Sequence, residues 1–380
     1  MDRLVVENFA QLDSASIELG DLTVLVGAQG TGKSLMLQWL KAALDGKQIV
    51  NALREAGQVN REALVDFIFG VGMGPAWGKL SAVSFNGKPV RPPTLAKRGN
   101  GIERVFFVPA HRAMLISDGW AAPFQKLSPE TPVVARLFSQ NLFDLFTGRQ
   151  TDTLFPLERV LKNVYRDLIN AAVFHGGTVD VEEDRQHTKK LRLTHGSSQL
   201  PFMTWTAGQR EFTPLLLGLY HLLPQRKTRK QPDIDWVIVE EPEMGLHPQA
   251  VTVFMLLVLD LLWRGYKVVL STHSPIVLTA VWMLRRLREL DAPWTSVCDG
   301  FGINEPSKRQ ELRQVATAAL AKTTRVHVLA FDPLTKKVRS KDISSLDPGS
   351  EDDDVSGWGG LTGFTSRFGE AVRAAVNEAT

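Results

Sequence analysis

The sequence predicts an α/β fold with a mixed or parallel core sheet, on three observations. Gly27-Ala28-Gln29-Gly30-Thr31-Gly32-Lys33-Ser34 fits G-x-x-x-x-G-K-[ST] and stands between an apolar run and a helical pattern. Trp236-Val237-Ile238-Val239 and Lys267-Val268-Val269-Leu270 are apolar segments that each run into polar residues and then a helix, as strands buried on both faces do. Leu4-Val5-Val6 and Thr23-Val24-Leu25-Val26, separated by the polar Gly20-Asp21 break, add β-rich runs near the N-terminus.

Each element follows from local chemistry. After the glycine loop, Leu35, Leu37, Leu40 and Leu44 fall among good helix formers until Gly46, which predicts a helix from Ser34. Alternation at Ala82-Val83-Ser84-Phe85 followed by Asn86-Gly87 predicts an antiparallel hairpin, and Val105-Phe106-Phe107-Val108 predicts a buried strand stopped by Pro109. Leu154, Leu157, Val160, Leu161 and Val164 have helical spacing, so residues 113–200 are expected to form a mostly helical insertion. A helix over 209–223 precedes the acidic strand end. Beyond about residue 300 the pattern predicts one helix over 310–321, a hairpin around Asp332-Pro333 and a short final helix. The resulting division is 1–112 and 201–300 for the two parts of the main α/β unit, 113–200 for the insertion, and 301–380 for a C-terminal extension offering a partner or dimer contact.

Composition sets limits. The 380 residues with 44% apolar content can bury a real core, which excludes disorder and fibrous repeats. Lys and Arg number 44 against 41 Asp and Glu, and a net charge of +3 is too small for bulk electrostatics to explain nucleic-acid affinity. The longest apolar stretch, Val251 to Leu259, falls well short of the roughly 20 residues a membrane span needs. The first residues, Met1-Asp2-Arg3, lack a signal core, so a cytoplasmic protein with no membrane partner is expected. The single cysteine, Cys298, supplies neither an intrachain disulfide nor a Cys-rich metal site.

The glycine loop carries the chemistry of a P-loop NTPase. Gly27, Gly30 and Gly32 allow backbone angles closed to other residues, so that the N–H groups of Gln29, Thr31 and their neighbours can converge on phosphate oxygens at a helix N-terminus. Lys33 can reach the β and γ phosphates of ATP, and Ser34 can ligate Mg2+. Glu240-Glu241-Pro242-Glu243 places two carboxylates at the C-terminal end of a buried strand, where open α/β sheets bind ligands. Glu240 is the expected metal-side carboxylate and Glu241 the expected group to polarise an attacking water, with Glu243 in a supporting place. His273 ends the next strand and is placed to contact a γ phosphate.

Together these residues resemble an ABC-type ATPase head. The signature segment of that class is matched best by Trp205-Thr206-Ala207-Gly208-Gln209, where Gly208 and Gln209 coincide, Thr206 keeps a hydroxyl and Ala207 replaces a glycine. Within the class, Glu240-Glu241-Pro242-Glu243-Met244-Gly245-Leu246-His247-Pro248, Ser271-Thr272-His273-Ser274-Pro275 and Val108-Pro109-Ala110-His111-Arg112 resemble the soluble ATPases grouped with the overcoming-lysogenisation-defect (OLD) proteins. The resemblance covers about residues 1–112 and 200–290. It implies ATP-driven head-to-head association into a homodimer or higher oligomer, with each nucleotide between one copy's phosphate loop and the other's Thr206, Gly208 and Gln209. Leu246-His247-Pro248 would lie at that interface. Glu240 departs from the aspartate usual in the wider class.

The resemblance further implies a separate effector such as a nuclease, in prokaryotic defence or DNA processing. Residues after 290 offer no equivalent of the Toprim nuclease domain of OLD proteins: Asp352 and Asp354 have its spacing but no apolar strand before them. The alternative is a nucleotide-gated scaffold with little turnover that holds a partner inactive; a transporter's energising subunit is disfavoured by the altered signature. Arg226-Lys227-Thr228-Arg229-Lys230 and Arg285-Arg286-Leu287-Arg288 are the segments that could touch a nucleic acid.

Overall fold

The computed structural model describes residues 2–55, 57, 64–116, 119–147, 153–158, 160–183, 189–223 and 230–379. Strands β1 (Asp2–Phe9), β2 (Leu12–Leu19) and β3 (Leu22–Val26) lead through the glycine loop into helix α1 (Lys33–Glu55). Next come α2 (Leu64–Phe69), β4 (Trp77–Phe85), β5 (Lys88–Pro89) and β6 (Val105–Val108). There follow α3 (Val133–Thr147), β7 (Thr153–Phe155), α4 (Asn163–Ile169), β8 (Thr178–Glu183), β9 (Lys189–His195) and β10 (Ser198–Pro201). The chain then forms α5 (Ala207–Leu222), β11 (Trp236–Glu240), α6 (Pro248–Arg264), β12 (Lys267–Ser271) and α7 (Pro275–Glu289). It closes with α8 (Trp294–Gly300), α9 (Pro306–Ala321), β13 (Thr324–Phe331), β14 (Val338–Asp342), α10 (Asp353–Ser356) and α11 (Gly363–Ala379).

Ten strands form one mixed sheet in the order β5-β4-β1-β2-β14-β13-β3-β12-β11-β6. The segment β13-β3-β12-β11-β6 is parallel throughout, and every residue of β3, β6 and β11 is buried. Such strands have no polar face because helices cover both sides. Alternate residues go to opposite layers: Val24, Val26, Val237, Val239, Val268 and Leu270 join the core under α5, α6 and α7, while Leu25, Trp236, Ile238 and Val269 join the one under α1 and α2. Each such fully buried side chain contributes roughly 1.5–3 kcal/mol. β1 and β2 alternate buried with partly exposed residues, as antiparallel strands outside that core do.

Two expectations are corrected. Residues 113–200 include helices but also a second, four-stranded antiparallel sheet in the order β10-β9-β8-β7. Leu154 lies in β7 and not in a helix, because Pro156 denies that run a backbone donor and biases the preceding residue toward extended conformation. Buried Val179, Leu191 and Leu193 face the core with strand period, and the Asp180 carboxylate accepts from the hydroxyls of Thr153, Thr178 and Thr194. Residues 301–380 are likewise more than an extension. The hairpin at Asp332-Pro333 exists, but β13 pairs parallel with β3 over five residues and β14 pairs with β2, so this segment completes the main sheet.

The helix expected to end at Gly46 bends there instead. Asp45 leaves helical angles (φ −117°, ψ 23°) while its carboxylate accepts from Lys41 Nζ and from the backbone N–H groups of Arg104 and Val105.

Candidate functional site

Register brings the site together. Glu240 pairs with Ser271, Ser271 with Leu25, and Val239 with Val108, so four neighbouring parallel strands end on one edge. The glycine loop, the acidic strand end, His273 and Pro109-Ala110-His111-Arg112 all emerge there. Thr272 N–H donates to Leu25 O at 3.0 Å and Glu241 N–H to Ser271 O at 2.9 Å, extending the ladder one residue into the site.

The loop has the predicted conformation. Gly27, Gly30 and Gly32 have φ of 141°, 75° and 86°. A Cβ on Gly27 would lie 2.2 Å from Leu329 O, so β13 leaves room only for glycine. Gln29 is exposed at the crest, and Thr31 Oγ1 donates to Ala28 O at 2.8 Å. Lys33 opens α1 and is buried; its Nζ donates to Gly27 O (2.9 Å) and Ala28 O (3.1 Å) and lies 3.0 Å from His273 Nε2. Burial pulls the Lys33 ammonium below its ordinary pKa, opposed by Glu241, Glu243 and Glu240. A phosphate that replaced the two carbonyls would give this cation a charged partner.

Glu240 is 5% exposed. Its Oε2 accepts from Ala110 N–H at 3.3 Å, whereas Oε1 is buried with no hydrogen-bond partner. Burial raises its pKa; the Ser34 hydroxyl and the Ala110 N–H act the other way. An orphaned carboxylate oxygen beside an exposed hydroxyl at a helix N-terminus fits the hard, oxygen-only coordination of Mg2+, which takes few protein ligands and completes its shell with water and phosphate oxygens. Among the described residues no group of three or more His, Cys, Asp or Glu forms a metal cage of its own.

Glu241 has φ 41°, in the left-handed region that costs a non-glycine residue about 1–3 kcal/mol. This turns its carboxylate toward the next strand, where Oε1 lies 3.2 Å from His273 Nε2. That nitrogen can accept from Lys33 or donate to Glu241, but not both at once. Glu243 Oε1 accepts from Thr272 Oγ1 (2.8 Å) and His273 N–H (2.5 Å), so it fixes the histidine segment from below.

The signature segment caps α5. Thr206 and Gln209 form a capping box, in which Thr206 Oγ1 accepts from Gln209 N–H and Gln209 Oε1 accepts from Thr206 N–H. Gln209 Nε2 also donates to Val173 O on the insertion at 3.2 Å. A Cβ on Gly208 would lie 3.2 Å from Gly245 O, so the signature packs on the loop after Glu241. Among the described residues, no hydrogen bond joins Thr206, Gly208 or Gln209 to the phosphate loop of the same chain.

Sequence reasoning missed Gln11. At the tip of the β1–β2 hairpin its Nε2 donates to Gly30 O at 2.8 Å, and Leu12 packs against Gly32. The alternation of Leu12, Ala15, Ile17 and Leu19 could have revealed β2 and therefore this tip. Of the basic segments, Arg285 and Arg286 pair with Glu289, Arg288 donates to Lys322 O, and Lys230 pairs with Asp235. Arg226, Lys227, Thr228 and Arg229 lie outside the described residues. Asp352 and Asp354 both pair with Lys341, and Asp352 caps α10.

Residues 179–279, from β8 past His273, match the family model described as "AAA domain, putative AbiEii toxin, Type IV TA system". That match fits an OLD-like ABC/AAA ATPase reading of this part of the chain. The chain is 25% identical over 149 residues to the Old nuclease of Escherichia phage P2, a stretch covering 38% of this chain and 23% of that protein. The chain thus matches about a quarter of that relative's length. Similar solved structures include an SMC head bound to the C-terminal winged-helix domain of ScpA, at 11% identity and TM-score 0.42 over 91% of this chain and 99% of that one. The SMC head domain from Thermotoga maritima is 13% identical, with TM-score 0.39 over 90% and 97%. In this chain the mixed α/β sheet brings the glycine loop and the acidic strand end to one edge, the arrangement of a P-loop fold. Among the described residues no helix is long and apolar enough to cross a membrane.

Proposed function

We propose that the chain binds ATP with Mg2+, hydrolyses it to ADP and phosphate, and associates head to head on ATP to control a separate effector in the cytoplasm. The observation that carries this reading is the convergence of Lys33, His273 and Glu241 on one strand edge, with Nζ 3.0 Å from Nε2 and Nε2 3.2 Å from Oε1. Ser34 and Glu240 would hold the metal, which when bound neutralises phosphate charge. Lys33 binds the β and γ phosphates. Glu241 accepts the proton of the attacking water, and His273 orients that carboxylate or donates to the γ phosphate. The exposed Thr206, Ala207 end of α5 is available to a second copy's nucleotide, which supports the sandwich. A nuclease as effector, a role in defence or DNA processing, and any nucleic-acid contact rest on the similarity to the phage protein.

The rival reading is a nucleotide-gated scaffold that binds ATP, turns over little and holds a partner inactive. Steady-state ATP turnover of the parent chain against Glu241→Gln separates them. Turnover abolished by the substitution supports hydrolysis, and equal rates in both proteins overturn the role of Glu241.

A further inference from the structure

Arg112 has no exposed surface, yet it contacts neither phosphate loop nor solvent. Its guanidinium joins three segments. Nε donates to Glu211 O on α5 at 3.0 Å; Nη1 lies 3.2 Å from Glu240 O, 3.3 Å from Glu241 O and 3.5 Å from Ala110 O; Nη2 lies 3.3 Å from Pro242 O. Glu211 Oε2, the nearest carboxylate, is 3.7 Å from Nε. Burial lowers the Arg112 pKa to about 10 against the pull of Glu211, Glu243, Glu241 and Glu240, so it remains a cation at neutral pH.

Three of its five carbonyl acceptors belong to consecutive residues, and the middle one is Glu241 at φ 41°. A left-handed glutamate relaxes unless its surroundings hold it. Met244 N–H and Arg112 both donate to its carbonyl, and its own N–H is held by Ser271 O. The same guanidinium grips α5 at Glu211, two residues past Gln209 of the signature segment. A second, independent contact links these parts, because Gly245 also packs against Glu211 Cγ and Gly208.

We propose that Arg112 is a positioning residue that holds Glu241 in its working conformation and transmits the position of the signature helix to it, so that engagement of α5 by a second copy's nucleotide sets the hydrolytic carboxylate. This rests on the ATPase reading and adds its regulation. Only a planar fork spans these carbonyls; a lysine, with one ammonium at the end of a flexible stem, keeps the charge and loses the span.

The experiment compares parent, Arg112→Lys and Glu211→Gln by ATP turnover, by MgATP affinity from calorimetry, and by hydrogen exchange at the Glu241 and Met244 amides. Expected for Arg112→Lys is a kcat lower by about 50-fold or more with Kd within about threefold, since an interaction felt only at the reacting centre lowers kcat alone. Exchange at the two amides should quicken while α1 amides stay protected. Glu211→Gln, which leaves its carbonyl in place, should keep most of the turnover and shows that the site tolerates change nearby. Unchanged kcat in a folded Arg112→Lys protein overturns the inference, as do equal losses in Kd and kcat, or quickened exchange across the whole chain. A parent chain without turnover overturns the ATPase reading itself, and the inference with it.

Discussion

His273 Nε2 lies 3.2 Å from Glu241 Oε1, although 31 residues and helix α6 separate the two in the chain. The contact exists because β11 and β12 are parallel neighbours in register and both end at this edge. Lys33 Nζ lies 3.0 Å from the same nitrogen, so a change at any of the three alters the hydrogen bonds open to the others.

Lys33→Ala should weaken MgATP binding by about 100-fold, because the phosphate charge loses its main counter-charge in a part-buried site where charge-assisted hydrogen bonds are strong. Calorimetry measures it. The fold should survive, since the ammonium is only desolvated and carbonyl-bonded in the free protein. An affinity within about threefold of the parent would remove the phosphate loop from consideration as the nucleotide site.

The parts legible in the sequence were those written locally. The glycine loop, the acidic strand end and His273 are each a contiguous run with its own strand, and their shared edge followed from the parallel pattern. Pairing across the chain was not legible. The hairpin at Asp332-Pro333 could be read, but its insertion between β2 and β3 depends on which edge β13 finds, and its own residues do not encode that choice. Gln11 and Arg112 illustrate the same limit. The first matters through one bond to Gly30 O across the hairpin tip. The second was visible as part of a motif, while its burial among the carbonyls of two distant segments required the fold.

Glu240→Gln should stabilise the nucleotide-free protein at neutral pH. Burial raises the Glu240 pKa in the folded state, so the folded chain holds a proton longer than the unfolded one, and stability falls as pH rises from 4.5 through the folded value. The amide removes that loss. Thermal melts at neutral pH should show a gain of about 1 kcal/mol, while the Mg2+-dependent part of ATP affinity declines. A lower melting temperature would mean that the carboxylate is already well satisfied without metal.

Gly27→Ala should destabilise the chain by about 2–4 kcal/mol, from a left-handed φ together with overpacking in a filled space. The added Cβ would meet Leu329 O at 2.2 Å, and a backbone atom of a central strand cannot move aside cheaply. Urea titration reads the loss. Gly30→Ala is the informative control, because a Cβ there meets nothing within 4 Å and only the φ of 75° is strained. Equal losses in the two variants would show that conformation alone, and not the approach of β13, governs Gly27.

Asp260 on α6 should make stability fall in acid. It is 2% exposed, and burial alone would raise its pKa. Together, Lys162 and Arg264 outweigh that effect and hold the pKa below 3.8. Its Oδ1 accepts from Lys162 Nζ at 2.9 Å and Tyr165 Oη at 3.0 Å, and Oδ2 from Arg264 Nε at 2.5 Å. A carboxylate with a depressed folded pKa contributes stability that is present above 3.8 and is lost as pH falls through the folded value. Asp260→Asn should therefore lower the unfolding free energy at neutral pH by about 2 kcal/mol, because two part-buried cations and the buried Tyr165 hydroxyl lose their shared partner. The gap between variant and parent should narrow once the parent's own carboxylate is protonated. Because Lys162 and Tyr165 lie within residues 113–200 and Asp260 on α6, a denaturation curve that splits into two transitions in the variant would identify this cluster as what makes these two parts of the chain unfold together.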